Sequence, residues 1–139
     1  MRISQEADYA LRIVGHLSKI GEGKRCDAKS IARDAHLPQR FAVKILRKLN
    51  LAGITKSYRG AYGGYAVNRN PADITFLEVV ECIDGPLYIN KCLMDIKKCS
   101  DGSAGNCITR KRLQVINTKI CEMLKESNSS IYEVITAIF

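Results

Sequence analysis

Apolar residues recur at intervals of three and four over the first twenty positions, at Ile3, Ala7, Ala10, Leu11, Val14 and Leu17. That period gathers one face of an α-helix and predicts an amphipathic helix over residues 4–20, stopped by Gly21, Glu22 and Gly23. Asp27 can cap a second, shorter helix running through about Ala35, with Ile31 and Ala32 turned inward. Pro38 opens a third, in which Phe41, Ala42, Ile45, Leu46 and Leu49 form the buried stripe, and Gly53 ends it. Its outward positions are Gln39, Arg40, Val43, Lys44, Arg47 and Lys48, so hydrogen-bond donors dominate the exposed face. A short helix, a tight connection and a donor-faced helix form the arrangement that lays a recognition helix in a major groove.

The period then changes. Residues 54–57 and 65–68 read as two short strands, and the YRGAYGG stretch between them as a hairpin loop whose glycines supply positive φ. Behind a donor-faced helix, such a hairpin is a wing. Its tip projects beyond the helices, so that Arg59 can reach phosphate or a minor groove, while Gly60, Gly63 and Gly64 let backbone approach a duplex closely. Thr75 and Glu78 have capping-box spacing and predict a helix over 75–83, with Phe76, Val79, Val80 and Ile83 packing down before Gly85 and Pro86 break it. A longer helix over 108–127 carries Leu113, Ile116, Ile120 and Leu124 at intervals of three or four. That stripe wants a partner, and two-fold DNA sites favour two-fold proteins. Ser130 and Glu133 start a last helix, in which Ile131, Val134, Ile135 and Ile138 can pack back as a terminal clasp. The expected fold class is mainly α with a small β wing, a winged helix-turn-helix plus a long dimerisation helix.

Charge sharpens this picture. The 139 residues carry a net charge of +8. Residues 1–69 hold 14 Lys and Arg against 5 Asp and Glu, whereas residues 70–139 hold 8 against 9, so the whole excess lies in the first half. Between Asp34 and Asp73 stand seven basic residues, Arg40, Lys44, Arg47, Lys48, Lys56, Arg59 and Arg69, and no carboxylate. A basic run without compensating acids suits a polyanion partner. The expected contact set on double-stranded operator DNA is Gln39, Arg40, Lys44, Arg47 and Lys48 on the third helix, with Ser57, Arg59, Gly60, Tyr62 and Gly63 in the wing. No apolar run approaches the ~20 residues of a membrane span, and the N-terminus lacks the pattern of a signal peptide. A cytoplasmic protein with no membrane association is therefore expected. No nucleophile with a plausible base, paired carboxylates or phosphate loop points to an enzyme.

The six cysteines, reduced in such a compartment, leave core packing, metal or redox chemistry open. Cys92, Cys99 and Cys107 are separated by six and seven residues, with Ser, Asp, Gly, Ala and Asn between the last two. Structural zinc draws on closer pairs. Soft thiolates in a flexible loop suit an iron–sulfur cluster, whose larger core tolerates wider spacing, yet free or packed thiols are equally compatible with the residues alone. Cys82 and Cys121 lie near apolar helical positions and Cys26 precedes the second helix, so these three are expected to be structural.

From Ile3 through Pro86, the stretches YALRIVGHL, IARDAHLPQRFAVKILRKLNLAGITKS, RGAYGGYAV and ITFLEVVECIDGP, with cysteines following, resemble the Rrf-type winged-helix transcription regulators, among them IscR, NsrR and RirA. The resemblance implies a bacterial homodimeric DNA-binding repressor or activator, with repression the expected mode. In many members a cluster held by three cysteines senses iron–sulfur status, nitric oxide or redox state. Carried onto this chain, it implies a 4Fe–4S or 2Fe–2S cluster on Cys92, Cys99 and Cys107. Asp8 is the implied fourth ligand, reaching over from the partner subunit as an acid does in the NsrR branch. The chain departs from the IscR branch in having Ile108, Thr109 and Arg110 after the third cysteine where that branch has histidine; its histidines are His16 and His36. The implied organisation is a DNA-binding domain over 1–86, a sensor loop over 87–107, and a dimerisation helix with a C-terminal helix over 108–139. Leu113, Ile116, Ile120 and Leu124 form the expected dimer interface. A cluster-free, thiol- or partner-responsive regulator of the same fold, such as one of cysteine metabolism, is the alternative.

Overall fold

Ser4 sets the first helix going. Its hydroxyl accepts the Ala7 amide at 3.0 Å, and α1 (Gln5–Ile20) runs until Gly21, at φ +116°, turns the chain. This computed structural model describes residues 2–103 and 105–128. Asp27 caps α2 (Ala28–Asp34) through the Ser30 amide, and those hydrogen bonds hold its carboxyl below the usual aspartate value. α2 ends where His36 adopts φ +56°, the left-handed position that glycine usually fills. The Leu37 and His36 amides there donate to the Ala32 and Arg33 carbonyls, closing a turn two residues short of α3 (Gln39–Leu51).

A two-stranded antiparallel hairpin follows, β1 (Thr55–Tyr58) and β2 (Gly64–Val67), paired Thr55 to Val67 through Tyr58 to Gly64. Each strand is displaced by one residue from its sequence expectation, β1 later and β2 earlier, because pairing extends to the edge of the tip. Asn70 caps a short 3-10 turn at Pro71–Asp73. The Thr75 hydroxyl then accepts the Glu78 amide to start α4 (Phe76–Asp84), as its spacing predicted. The cysteine segment is more ordered than a plain loop: it contains α5 (Lys91–Met94) and a 3-10 turn at Ile96–Lys98. Last comes α6 (Ile108–Glu126). The helix expected from Ser130 lies outside the described residues.

The main core joins α1, α2, α3, the root of the hairpin and α4. Ile13, Leu17, Ile31, Ile45, Leu46, Leu49, Ile54 and Ile74 are all fully buried in it. A smaller cluster of Ala7, Val80 and Leu87 receives Leu124 and Cys121 from α6. Short-range polar ties fix the frame. The Ser4 amide and hydroxyl both bond Asp84, joining the start of α1 to the end of α4, and Arg69 pairs with Glu78. The Phe76 amide donates to the Ser127 carbonyl at 2.8 Å, so the end of α6 is fastened to the start of α4. Asn117 of α6 satisfies two backbone groups of the segment after α4, donating to the Leu87 carbonyl at 3.1 Å and accepting the Ile89 amide at 2.9 Å. No helix among the described residues is long and apolar enough to cross a membrane.

Candidate DNA-binding surface and cysteine pocket

On α3 the buried stripe of Ala42, Ile45, Leu46 and Leu49 turns Gln39, Arg40, Val43, Lys44 and Arg47 to solvent. Lys48 is only half exposed. Its ammonium lies 2.8 Å from Glu6 Oε1 on α1, and Lys44 stands 3.5 Å from the same oxygen. The Lys48 hydrogen bond holds the Glu6 carboxyl below the ordinary glutamate value against the opposing effect of burial. Two of the five expected helix donors thus share a carboxylate that also ties α1 to α3. Arg40 and Arg47 have no ion pair among the described residues, although the Arg40 guanidinium lies 5.0 Å from the Phe41 ring centre.

The wing brings Ser57, Arg59, Gly60 and Tyr62 to the surface, Tyr62 with 88% of its area exposed. Sequence reasoning assigned its glycines to a close approach by DNA. The structure gives Gly63 and Gly64 an intramolecular reason as well. A Cβ on Gly63 would sit 2.5 Å from the Tyr58 carbonyl oxygen, and one on Gly64 would sit 2.8 Å from that of Cys26. Gly60, at φ +94°, faces open space. Cys26 forms a bridge with Tyr65, exchanging backbone hydrogen bonds at 2.9 and 2.8 Å, which lays the connection between α1 and α2 along β2. Arg25, just before it, stacks on Tyr58 and bonds the Tyr62 carbonyl. It was missed in the sequence because its partners lie 33 and 37 positions away and it precedes the acid-free run.

The three spaced cysteines come from three different pieces of backbone. Cys92 lies in α5, Cys99 ends the 3-10 turn, and Cys107 is the N-cap of α6. All three line one open cavity of about 550 Å3, together with Lys91, Lys98, Arg110 and Asp101. The Arg110 amide donates to the Cys107 sulfur at 3.4 Å, and its Nε donates to the Cys92 carbonyl at 3.2 Å. Cys107 therefore sits at the positive end of α6, where negative charge is stabilised. The Cys99 thiol donates to Asp101 at 2.9 Å; that bond, with those from Ser103, pushes the Asp101 carboxyl down to about 2. Among the described residues, no three His, Cys, Asp or Glu side chains converge as they would on a single metal ion. A cluster spreads its thiolates over several iron atoms, so a cavity lined by three cysteines and by Lys91, Lys98 and Arg110 suits its donor chemistry.

Cys26, Cys82 and Cys121 stand apart from this cavity. Burial raises the thiol pKa of each, which agrees with their expected packing role. Asp8 lies on the exposed side of α1, its carboxylate 2.6 Å from Arg12 one turn on, and does not line the cavity of its own chain. On α6, Leu124 turns inward onto α4, while Ile116 is 49% and Met123 67% exposed, with Leu113 and Ile120 half-buried. The exposed apolar residues of α6 are thus Ile108, Val115, Ile116 and Met123, and three of the four expected interface residues are half-buried in the single chain.

The family model described as Rrf2, iron-dependent transcriptional regulator, matches residues 3–135. The chain belongs to the Rrf2 family. A putative HTH-type transcriptional regulator of Mycobacterium tuberculosis (strain H37Rv) is 36% identical over 87 residues, which cover 63% of this chain and 54% of the relative. The chain thus spans about half the length of that relative. CymR of Bacillus subtilis (strain 168) is 38% identical over 96 residues, 68% of this chain and 69% of CymR. The solved structure of B. subtilis CymR, named as the global cysteine regulator, superposes with a TM-score of 0.74 at 27% identity over 94% of each chain. Its fold is the winged helix of the Rrf2 transcriptional regulators.

Proposed function

We propose that this Rrf2 protein is a cytoplasmic homodimeric repressor whose operator binding is controlled by an iron–sulfur cluster held by Cys92, Cys99 and Cys107. The observation that carries this reading is that Cys92, Cys99 and Cys107 all line one cavity together with Lys91, Lys98 and Arg110, whose charges would offset three thiolates. Residues 1–86 would bind DNA through the exposed face of α3 and the wing, residues 87–107 would sense, and α6 would dimerise. Asp8 of the partner subunit would complete the coordination, which requires it to leave Arg12. When bound, the cluster would supply the sensitivity to iron, oxygen and nitric oxide. The chain's own part is mechanical. Cys107 caps α6, so fixing its sulfur fixes the start of the dimer helix and with it the relative tilt of two wings. A useful switch of 10- to 100-fold needs only ~1.4–2.7 kcal/mol of coupling.

A second reading is favoured by the 38% identity to CymR, a relative named for cysteine regulation: a cluster-free regulator in which the same thiols respond to oxidation or to a partner protein. Anaerobic purification separates the two. A brown protein containing iron and sulfide, colourless after Cys92→Ala, Cys99→Ala or Cys107→Ala with the fold intact, supports the cluster. A colourless wild type that also resists reconstitution refutes it and leaves the second reading. Asp8→Ala should yield a cluster that forms but decays faster in air.

A further inference from the structure

The wing is gripped from outside its own hairpin. Arg25, in the connection between α1 and α2, holds its guanidinium carbon 3.8 Å from the centre of the Tyr58 ring. One terminal nitrogen donates to the Tyr62 carbonyl at 3.0 Å. Tyr58 is the last residue of β1 and Tyr62 lies in the tip, so these contacts hold both limbs of a loop in which Arg59 stands between them. Arg25 is itself held in place, because the Cys26 backbone is bridged to Tyr65 on β2.

We propose that Arg25 is a positioning residue of the DNA interface, its stacked and hydrogen-bonded guanidinium fixing the direction in which the wing presents Arg59. This rests on the reading of the wing as a DNA contact. Only a planar cation can lie flat on a ring and donate in its own plane at once; lysine supplies the charge without the face or the fork. A tip freed of this grip would spread Arg59 over many positions, lowering affinity through the cost of ordering it again on DNA. The number of phosphates met in the complex would stay the same. Arg25 should therefore alter affinity without altering salt dependence, and its effect should run through Tyr58.

The test uses full-length protein and a duplex selected by the wild type from random-sequence DNA, titrated over a range of salt. Arg25→Lys and Tyr58→Leu, neither of which changes net charge, should each bind about three- to tenfold more weakly, with wild-type salt slopes. The double variant should bind no worse than the weaker single, and Tyr58→Phe, which keeps the ring, should match wild type. Wild-type affinity for Arg25→Lys, losses that multiply in the double variant, or a changed slope in Arg25→Lys would overturn the proposal. If Tyr58→Leu fails to fold, Arg25→Ala against Arg25→Lys decides, since full rescue by lysine means that charge alone matters. Arg59→Ala is measured alongside. Should it bind normally at every salt concentration, the wing reading fails and takes this proposal with it; a defect in Arg59→Ala beside a normal Arg25→Lys sinks this proposal alone.

Discussion

At the residue scale, the decisive question for each candidate is whether its polar group is committed within the chain. Arg59 is exposed, with no ion pair among the described residues, whereas Lys48 is held by Glu6. These two cations should therefore not weigh equally on DNA. Arg59→Ala is expected to weaken operator binding and to reduce the slope of log K against log salt by about 0.9, the contribution of one phosphate contact. Filter binding or fluorescence anisotropy at several salt concentrations reads both quantities. Residue identity made Arg59 a visible candidate in the sequence, as a cation in a glycine-rich stretch. The commitment of Lys44 and Lys48 was invisible there, because Glu6 lies about forty positions away and nothing in local spacing signals an ion pair between two helices.

Among elements, local chemistry carried the reading far. Asp27, Thr75 and the glycines after α1 and α3 gave helix ends to within a residue or two, since caps and breakers act on their immediate neighbours. Less legible were α5 and the 3-10 turn in the cysteine segment, both too short for a period to emerge from four or three residues. The facing of α6 was half legible: its stripe was found, but which flank met α4 depended on Leu87 and Val80, set by tertiary packing. The junction of α1 with α3 offers a prediction at this scale. Glu6 has a folded pKa below its unfolded value, so its contribution to stability is complete above the ordinary value of 4.5 and is lost as pH falls through the lowered value. Glu6→Gln should flatten the acid limb of the stability profile below about pH 4.5, with little change in its shape near pH 7. Thermal melts across pH for both proteins measure it, and parallel acid limbs would count against the tie.

For the whole molecule, α6 carries the assembly reading. It buries none of its residues in the single chain, and Val115, Ile116 and Met123 stand exposed along it. Ile116→Lys or Ile120→Lys should convert a dimer to monomer, at a cost of several kcal/mol to the interface. Ile116 is half exposed, so that variant should keep its fold. Leu124→Lys, by contrast, should unfold the α4 side of the molecule as well. Sedimentation and circular dichroism together distinguish these outcomes; a wild-type-like dimer in both isoleucine variants would move the interface elsewhere. Operator affinity should fall with the dimer, because two half-sites are then bound independently.

The two hydrogen bonds of Asn117 reach beyond packing. They hold the chain at Leu87 and Ile89 to α6, while Cys107 begins the same helix. The cysteine segment is therefore a handle with both feet on one rod, about 15 Å apart along its length. Because the feet are already joined, a guest in the cavity meets little of the entropic cost of closing that loop. Any tightening of the handle pulls one foot against the other, and a rod pulled at two points bends or turns about its own axis.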